Sequence, residues 1–91
     1  MGAQMKFDYT KLSFYSALGQ SEEFIDYEFM DDDNLQYSVI VTYDTSDETW
    51  CGIAEVLDDV TNDFVHLCDI TEEQVNHCRE LIPPVHLPKG Q

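Results

Sequence analysis

Residues 24–44 read FIDYEFMDDDNLQYSVIVTYD, and the fold turns on this stretch. Ile25, Tyr27 and Phe29 alternate with Asp26 and Glu28, the period-two pattern of a strand with one buried and one wet face. Asp31, Asp32, Asp33 and Asn34 then make a polar turn. Leu35, Tyr37, Val39, Val41 and Tyr43 follow as five alternating apolar positions of a second strand. The two strands are expected to pair as an antiparallel hairpin, and the polar face of the first is purely acidic.

Toward the C-terminus, Asp44–Glu48 forms another turn cluster, and Trp50–Leu57 reads as a third strand. Gly52 interrupts it, which marks a bulge or a close contact. Asp58, Asp59, Asn62 and Asp63 make a third turn, and Phe64–Cys68 a fourth strand. Thr71–Gln74 is a capping box, with Ile70 and Val75 placed to staple the helix start, so a helix begins at Glu72. Val75, Cys78, Leu81 and Ile82 give it one apolar face, and Pro83 with Pro84 ends it.

Toward the N-terminus, Leu12, Phe14, Tyr15 and Leu18 suggest a short helix capped by Asp8 or Thr10 and closed at Gly19. The expected fold class is therefore α+β: an antiparallel four-stranded meander sheet with an N-terminal and a C-terminal helix packed on one face. Residues 1–91 are expected to make a single acidic domain, with flexible ends at 1–7 and 85–91.

Charge is the second dominant feature. The chain holds 19 acidic residues against four Lys and Arg, for a formal net charge of −15. No Lys or Arg occurs from residue 12 to residue 78, although every acid except Asp8 and Glu80 lies there. Apolar residues at 43% and aromatics at 12% are too many for a disordered acidic tail, so the acids belong to a folded body. Size scaling gives that body roughly 5,000 to 6,000 Å² of accessible surface. A one-signed surface destabilises the compact state by self-repulsion, which points to use against a strongly positive partner.

Several chemistries fit the residues poorly. Asp31 and Asp33 match the first positions of a calcium loop, but Leu35 and Gln36 break the rest, leaving only a loose cation site as a minor alternative. His66, Cys68, His77, Cys78 and His86 lack the paired spacing of structural zinc sites. A thiolate nucleophile at Cys51 or Cys68 would be opposed by the negative field. There is no glycine-rich phosphate loop and no GxSxG. No catalytic residue, metal ligand or cofactor is singled out, and the chain is read as a non-enzyme. The three cysteines are expected to be reduced, buried thiols. Lack of a membrane-length apolar run and of a signal sequence gives a cytoplasmic expectation, in the host cell if the gene is a phage's.

Small size, acidity and the sheet-plus-helix pattern around FIDYEFMDDDN and YDTSDETW resemble the small acidic DNA-mimic inhibitors of phages and mobile elements, of the anti-restriction and anti-CRISPR type. The resemblance is one of class and carries no motif. It implies occupation of the DNA-binding groove of a restriction enzyme, CRISPR effector, nucleoid protein or nuclease. The residues themselves support that expectation, because acids at strand intervals offer Lys and Arg a substitute for phosphates. The candidate partner-binding residues are Asp26, Glu28, Asp31, Asp32, Asp33, Asp44, Asp47, Glu48, Asp58 and Asp59. No direct contact with nucleic acid or membrane is expected, and a homodimer is compatible with the pattern. The alternative is an immunity protein that neutralises a cationic nuclease toxin.

Overall fold

The computed structural model describes residues 9–20, 23–31 and 37–88, with no side-chain description at 19 and 20. Five antiparallel strands form one sheet in the order of the chain: β1 (Leu12–Gln20), β2 (Phe24–Asp31), β3 (Tyr37–Asp44), β4 (Thr49–Asp58) and β5 (Asp63–Asp69). One α-helix, α1 (Glu72–Leu81), and two 3-10 turns, Tyr9–Lys11 and Pro84–His86, complete the described elements. The chain exposes 6070 Å², just above the range that its size implies.

The central hairpin follows its alternation. Tyr27 faces Val41, Phe29 faces Val39, and Ile25 faces Tyr43, so both apolar faces fall on one side of the sheet. Tyr27, Phe29, Val39 and Val41 are fully buried there. Across β4 the same side continues with Trp50, Gly52 and Ala54. Val75, Cys78 and Ile82 of the helical segment close over it, and Tyr9 and Leu87 add to its edges. Burial of these faces against one another is the main stabilising term, worth roughly 25 cal/mol for each Å² of apolar surface removed from water.

The helix begins as its capping box dictates. The Gln74 amide donates to Thr71 Oγ1 at 3.2 Å, and the Thr71 amide donates to Gln74 Oε1 at 2.8 Å. Each bond satisfies a donor that the first turn would otherwise leave unpaired. Ile82 ends the helix in extended conformation directly before Pro83.

Two expectations are corrected. Leu12–Gln20 is a fifth strand and no N-terminal helix forms across it; Asp8, its candidate cap, lies outside the described residues. The edge of β2 needs a partner, and Phe14 pairs with Phe29, ring centroids 5.8 Å apart and nearly perpendicular. Beyond the helix, Pro84–His86 makes a 3-10 turn, and Pro88 is buried. Tyr27 donates its hydroxyl to the His86 carbonyl at 2.5 Å, while the His86 ring stacks on Phe14 at 5.6 Å. Finally, only Cys78 is a buried thiol, since Cys51 and Cys68 are exposed.

Candidate functional site

The helix and both 3-10 turns pack on the apolar side, so the second side of the sheet carries the even-numbered residues of β2 and β3. Here Asp26 faces Thr42 and Glu28 faces Ile40, and on the far side of β3 Glu55 faces Ser38. Asp26 and Glu28 stand two residues apart on one strand, roughly 6.6 Å along its axis. Neutral donors hold both of them. Thr42 Oγ1 donates to Asp26 Oδ1 at 2.7 Å, and Ser38 Oγ donates to Glu28 Oε2 at 3.1 Å. A hydroxyl fixes a carboxylate without cancelling its charge, which an ammonium or guanidinium in the same place would do.

The remaining candidates lie at the two ends of the sheet. Asp44, Asp47 and Glu48 belong to the β3–β4 turn at one end. Asp31, Asp58 and Asp59 gather at the other, a strand length away or roughly 23 Å. Asp32 and Asp33 lie outside the described residues. The described candidate acids therefore do not make one continuous row. Two ends and a mid-sheet group share them.

The two described tight turns are built alike. Asp44 Oδ1 accepts from the amides of Ser46 and Asp47, and the Glu48 amide closes the turn on the Asp44 carbonyl at 2.8 Å. Asp58 Oδ1 accepts from the Val60 amide, and the Asn62 amide closes on the Asp58 carbonyl at 2.7 Å. Asp44 and Asp58 thus serve as turn caps as well as charges. The last turn residue is left-handed in each, with φ of 58° at Glu48 and 62° at Asn62. Asn tolerates that conformation, whereas Glu does so at a cost of about 1 kcal/mol.

Sequence reasoning missed Ser38 and Thr42 as the residues that fix the mid-sheet acids. Their signal was their place between Val39, Val41 and Tyr43, which puts them on the face opposite the core once the register is known. Glu55 was recognised as an acid but not assigned to this face. Across β5 it meets His66, which in turn lies 3.4 Å from Asp69.

Among the described residues no group of three or more His, Cys, Asp or Glu side chains converges to hold a metal ion. No described helix is long and apolar enough to cross a membrane. Burial pushes the Cys78 thiol up to about 12. A raised value stabilises the neutral thiol and leaves it a poor nucleophile.

The fold and surface define a small acidic α+β protein built on a five-stranded antiparallel meander. Comparison with protein-family models, curated proteins and solved structures found no match for this chain.

Proposed function

We propose that this chain is a non-enzymatic DNA-mimic inhibitor, which occupies the positively charged nucleic-acid-binding site of a host DNA-binding or defence protein. The observation that carries the reading is the treatment of Asp26 and Glu28: both stand half-buried on the sheet face opposite the helix, and both are fixed by hydroxyls. Carboxylates held in place by neutral donors are pre-organised for Lys and Arg, so less order is lost when the partner binds. Glu48 supports the same reading. It keeps an acid at a left-handed turn position where Gly or Asn would be easier to accommodate.

Binding of this kind is distributed over many weak contacts. Neutralising one exposed acid should cost about 0.2–1 kcal/mol, and neutralising the mid-sheet and turn groups together should cost much more. The test is capture of partners on immobilised protein at about 150 mM salt, followed by competition with duplex DNA. A saturable DNA-binding partner should be displaced by DNA, weaken as salt rises, and be lost to a variant carrying Asp26→Asn, Glu28→Gln, Asp47→Asn and Glu48→Gln. A partner indifferent to DNA and to those substitutions would overturn the proposal.

A further inference from the structure

A groove of about 740 Å³ runs between β4 and α1, on the opposite side of the sheet from Asp26 and Glu28. It follows five consecutive residues of β4, Thr49 to Ile53, or roughly 13 Å of strand. Its length comes from the topology. Pairing of β5 with β4 ends at Ile53 opposite Asp69, and the chain then leaves the sheet through Ile70 into α1.

The walls are of two kinds. Trp50, Ile70 and Val75 are apolar, and Gly52 presents no side chain between them. Trp50 is held rigidly: its ring stacks on Tyr27 at 5.9 Å, tilts against Tyr43 at 4.8 Å, and carries the Arg79 guanidinium 4.5 Å from its centroid. Arg79 also donates to Asn76 Oδ1 at 3.4 Å. The exposed carboxylates in the lining are Asp69 and Glu72, at the end where β5 passes into the helix.

We infer that this groove takes an extended basic segment of the partner, one that lodges an aliphatic side chain against Trp50 and Ile70 and sets Lys or Arg beside Asp69 and Glu72. The inference rests on the proposed function for the cationic nature of the partner and adds a second surface to it. Shape gives the extended form, because the groove is linear and a strand forms one wall. Charge complementarity gives the basic flanks, since Asp69 and Glu72 lie exposed in the lining and the chain carries −15 overall, against the single lining cation Arg79 over Trp50. A rigid aromatic beside an Arg is the composition of an interface hot spot, in which one buried anchor contributes more than many exposed charges. Distributed acids attract any basic surface, and a shaped groove would let the protein choose among them.

Trp50 is the only tryptophan of the chain, so its emission reports directly on the groove. The experiment titrates the full chain with three capped pentapeptides: Lys-Leu-Thr-Leu-Arg, Lys-Ser-Thr-Ser-Arg and Glu-Leu-Thr-Leu-Glu. Binding is followed by Trp50 emission and by amide NMR shifts. The expected result is a saturable change confined to residues 49–53, 69, 70, 72 and 76, with the first peptide binding about tenfold tighter than either control. Asn76→Arg, a substitution at an exposed helix position, adds a second cation to the lining. It should weaken that peptide by about fivefold while the far-UV circular dichroism stays that of the parent.

Equal binding of the two basic peptides, with shifts spread over the sheet-end acids, would overturn the groove and leave the cation-seeking surface standing. Equal binding of the acidic peptide at residues 49–53 would overturn the basic flanks. Absence of saturable binding by any of the three would overturn the inference, while the DNA-competition test would still decide the proposed function separately.

Discussion

Gly52 supplies the sharpest test of the packing. A β-carbon added there would stand 2.8 Å from Ile70 Cδ1, 3.0 Å from Ile70 Cγ1 and 3.2 Å from the Ile40 carbonyl oxygen. Comfortable carbon contacts are about 3.5–4.0 Å, so Gly52→Ala drives a methyl roughly 0.7 Å into the end of Ile70. Ile70 can rotate its terminal carbon, but the Ile40 carbonyl belongs to the sheet and cannot retreat. Overpacking of this size costs about 1–3 kcal/mol, while loss of glycine's freedom in the unfolded chain returns about 0.4–1 kcal/mol. The net expectation is a destabilisation of about 1–2 kcal/mol.

A double-mutant cycle tests the cause. Ile70→Val removes Cδ1, the nearest atom, and alone should cost about 0.5–1.5 kcal/mol. Combined with Gly52→Ala it should cost less than the sum, with a coupling of about 1 kcal/mol. Urea unfolding under reducing conditions, followed by far-UV circular dichroism, measures all four corners. A Gly52→Ala variant as stable as the parent, or strict additivity with Ile70→Val, would show that the glycine is not there to admit Ile70.

Three further outcomes follow from other parts of the fold. Burial raises the Cys78 thiol to about 12 and also raises the Tyr27 phenol. Both are neutral acids favoured by the fold. Cys78's contribution is therefore complete below its ordinary 9.0 and is lost as pH climbs through about 12. The slope should approach about 1.4 kcal/mol per pH unit, and urea midpoints for Cys78→Ala should fall less steeply over that window; an identical alkaline slope would remove Cys78 as the cause. Glu48→Gly relieves a left-handed Glu and should stabilise by about 0.5 kcal/mol while weakening partner binding, so a variant that melts lower would refute the strain argument. Tyr27→Phe deletes the donor to the His86 carbonyl and should cost about 1 kcal/mol, with earlier proteolysis after Arg79; unchanged stability and cleavage would mean the tail is anchored by Leu87 and Pro88 alone.

Much of the architecture could be read from spacing alone. Three hairpin-linked strands beyond Phe24 alternate cleanly, and the capping box places the helix start to the residue. The first strand was misread because it is an edge strand with two irregularities. Its register slips by one residue between Phe14 and Ser16 and again between Ala17 and Gln20. The first slip turns a spacing of two into a spacing of three on the core face, from Phe14 to Ala17, and leaves Tyr15 exposed, so the apolar residues at 12, 14, 15 and 18 lose their alternation and imitate a helical face. Such bulges are common at sheet edges, where they blunt pairing with other chains. The acids of the candidate site are visible in any reading of the sequence, but their separation into a mid-sheet group and two ends is not. It depends on which turns share an end of the sheet. Nor could Thr42 and Ser38 be recognised as the groups that hold Asp26 and Glu28, since a slip of one residue would carry them into the core.

The strand order has a consequence for how the molecule comes to exist. Every strand pairs only with its neighbours along the chain, across connections of three to five residues. Closing such short loops is cheap in entropy, so hairpins can zip outward from β2 and β3 before any distant part of the chain arrives. α1 also packs against β1, far away in the chain, and loop-closure entropy makes that docking the later step, after the hairpins have drawn most of the negative charge together. Counter-ions that screen this charge should therefore quicken folding as well as deepen its endpoint. Ionic strength becomes a kinetic control on the birth of a protein whose surface is made of one sign.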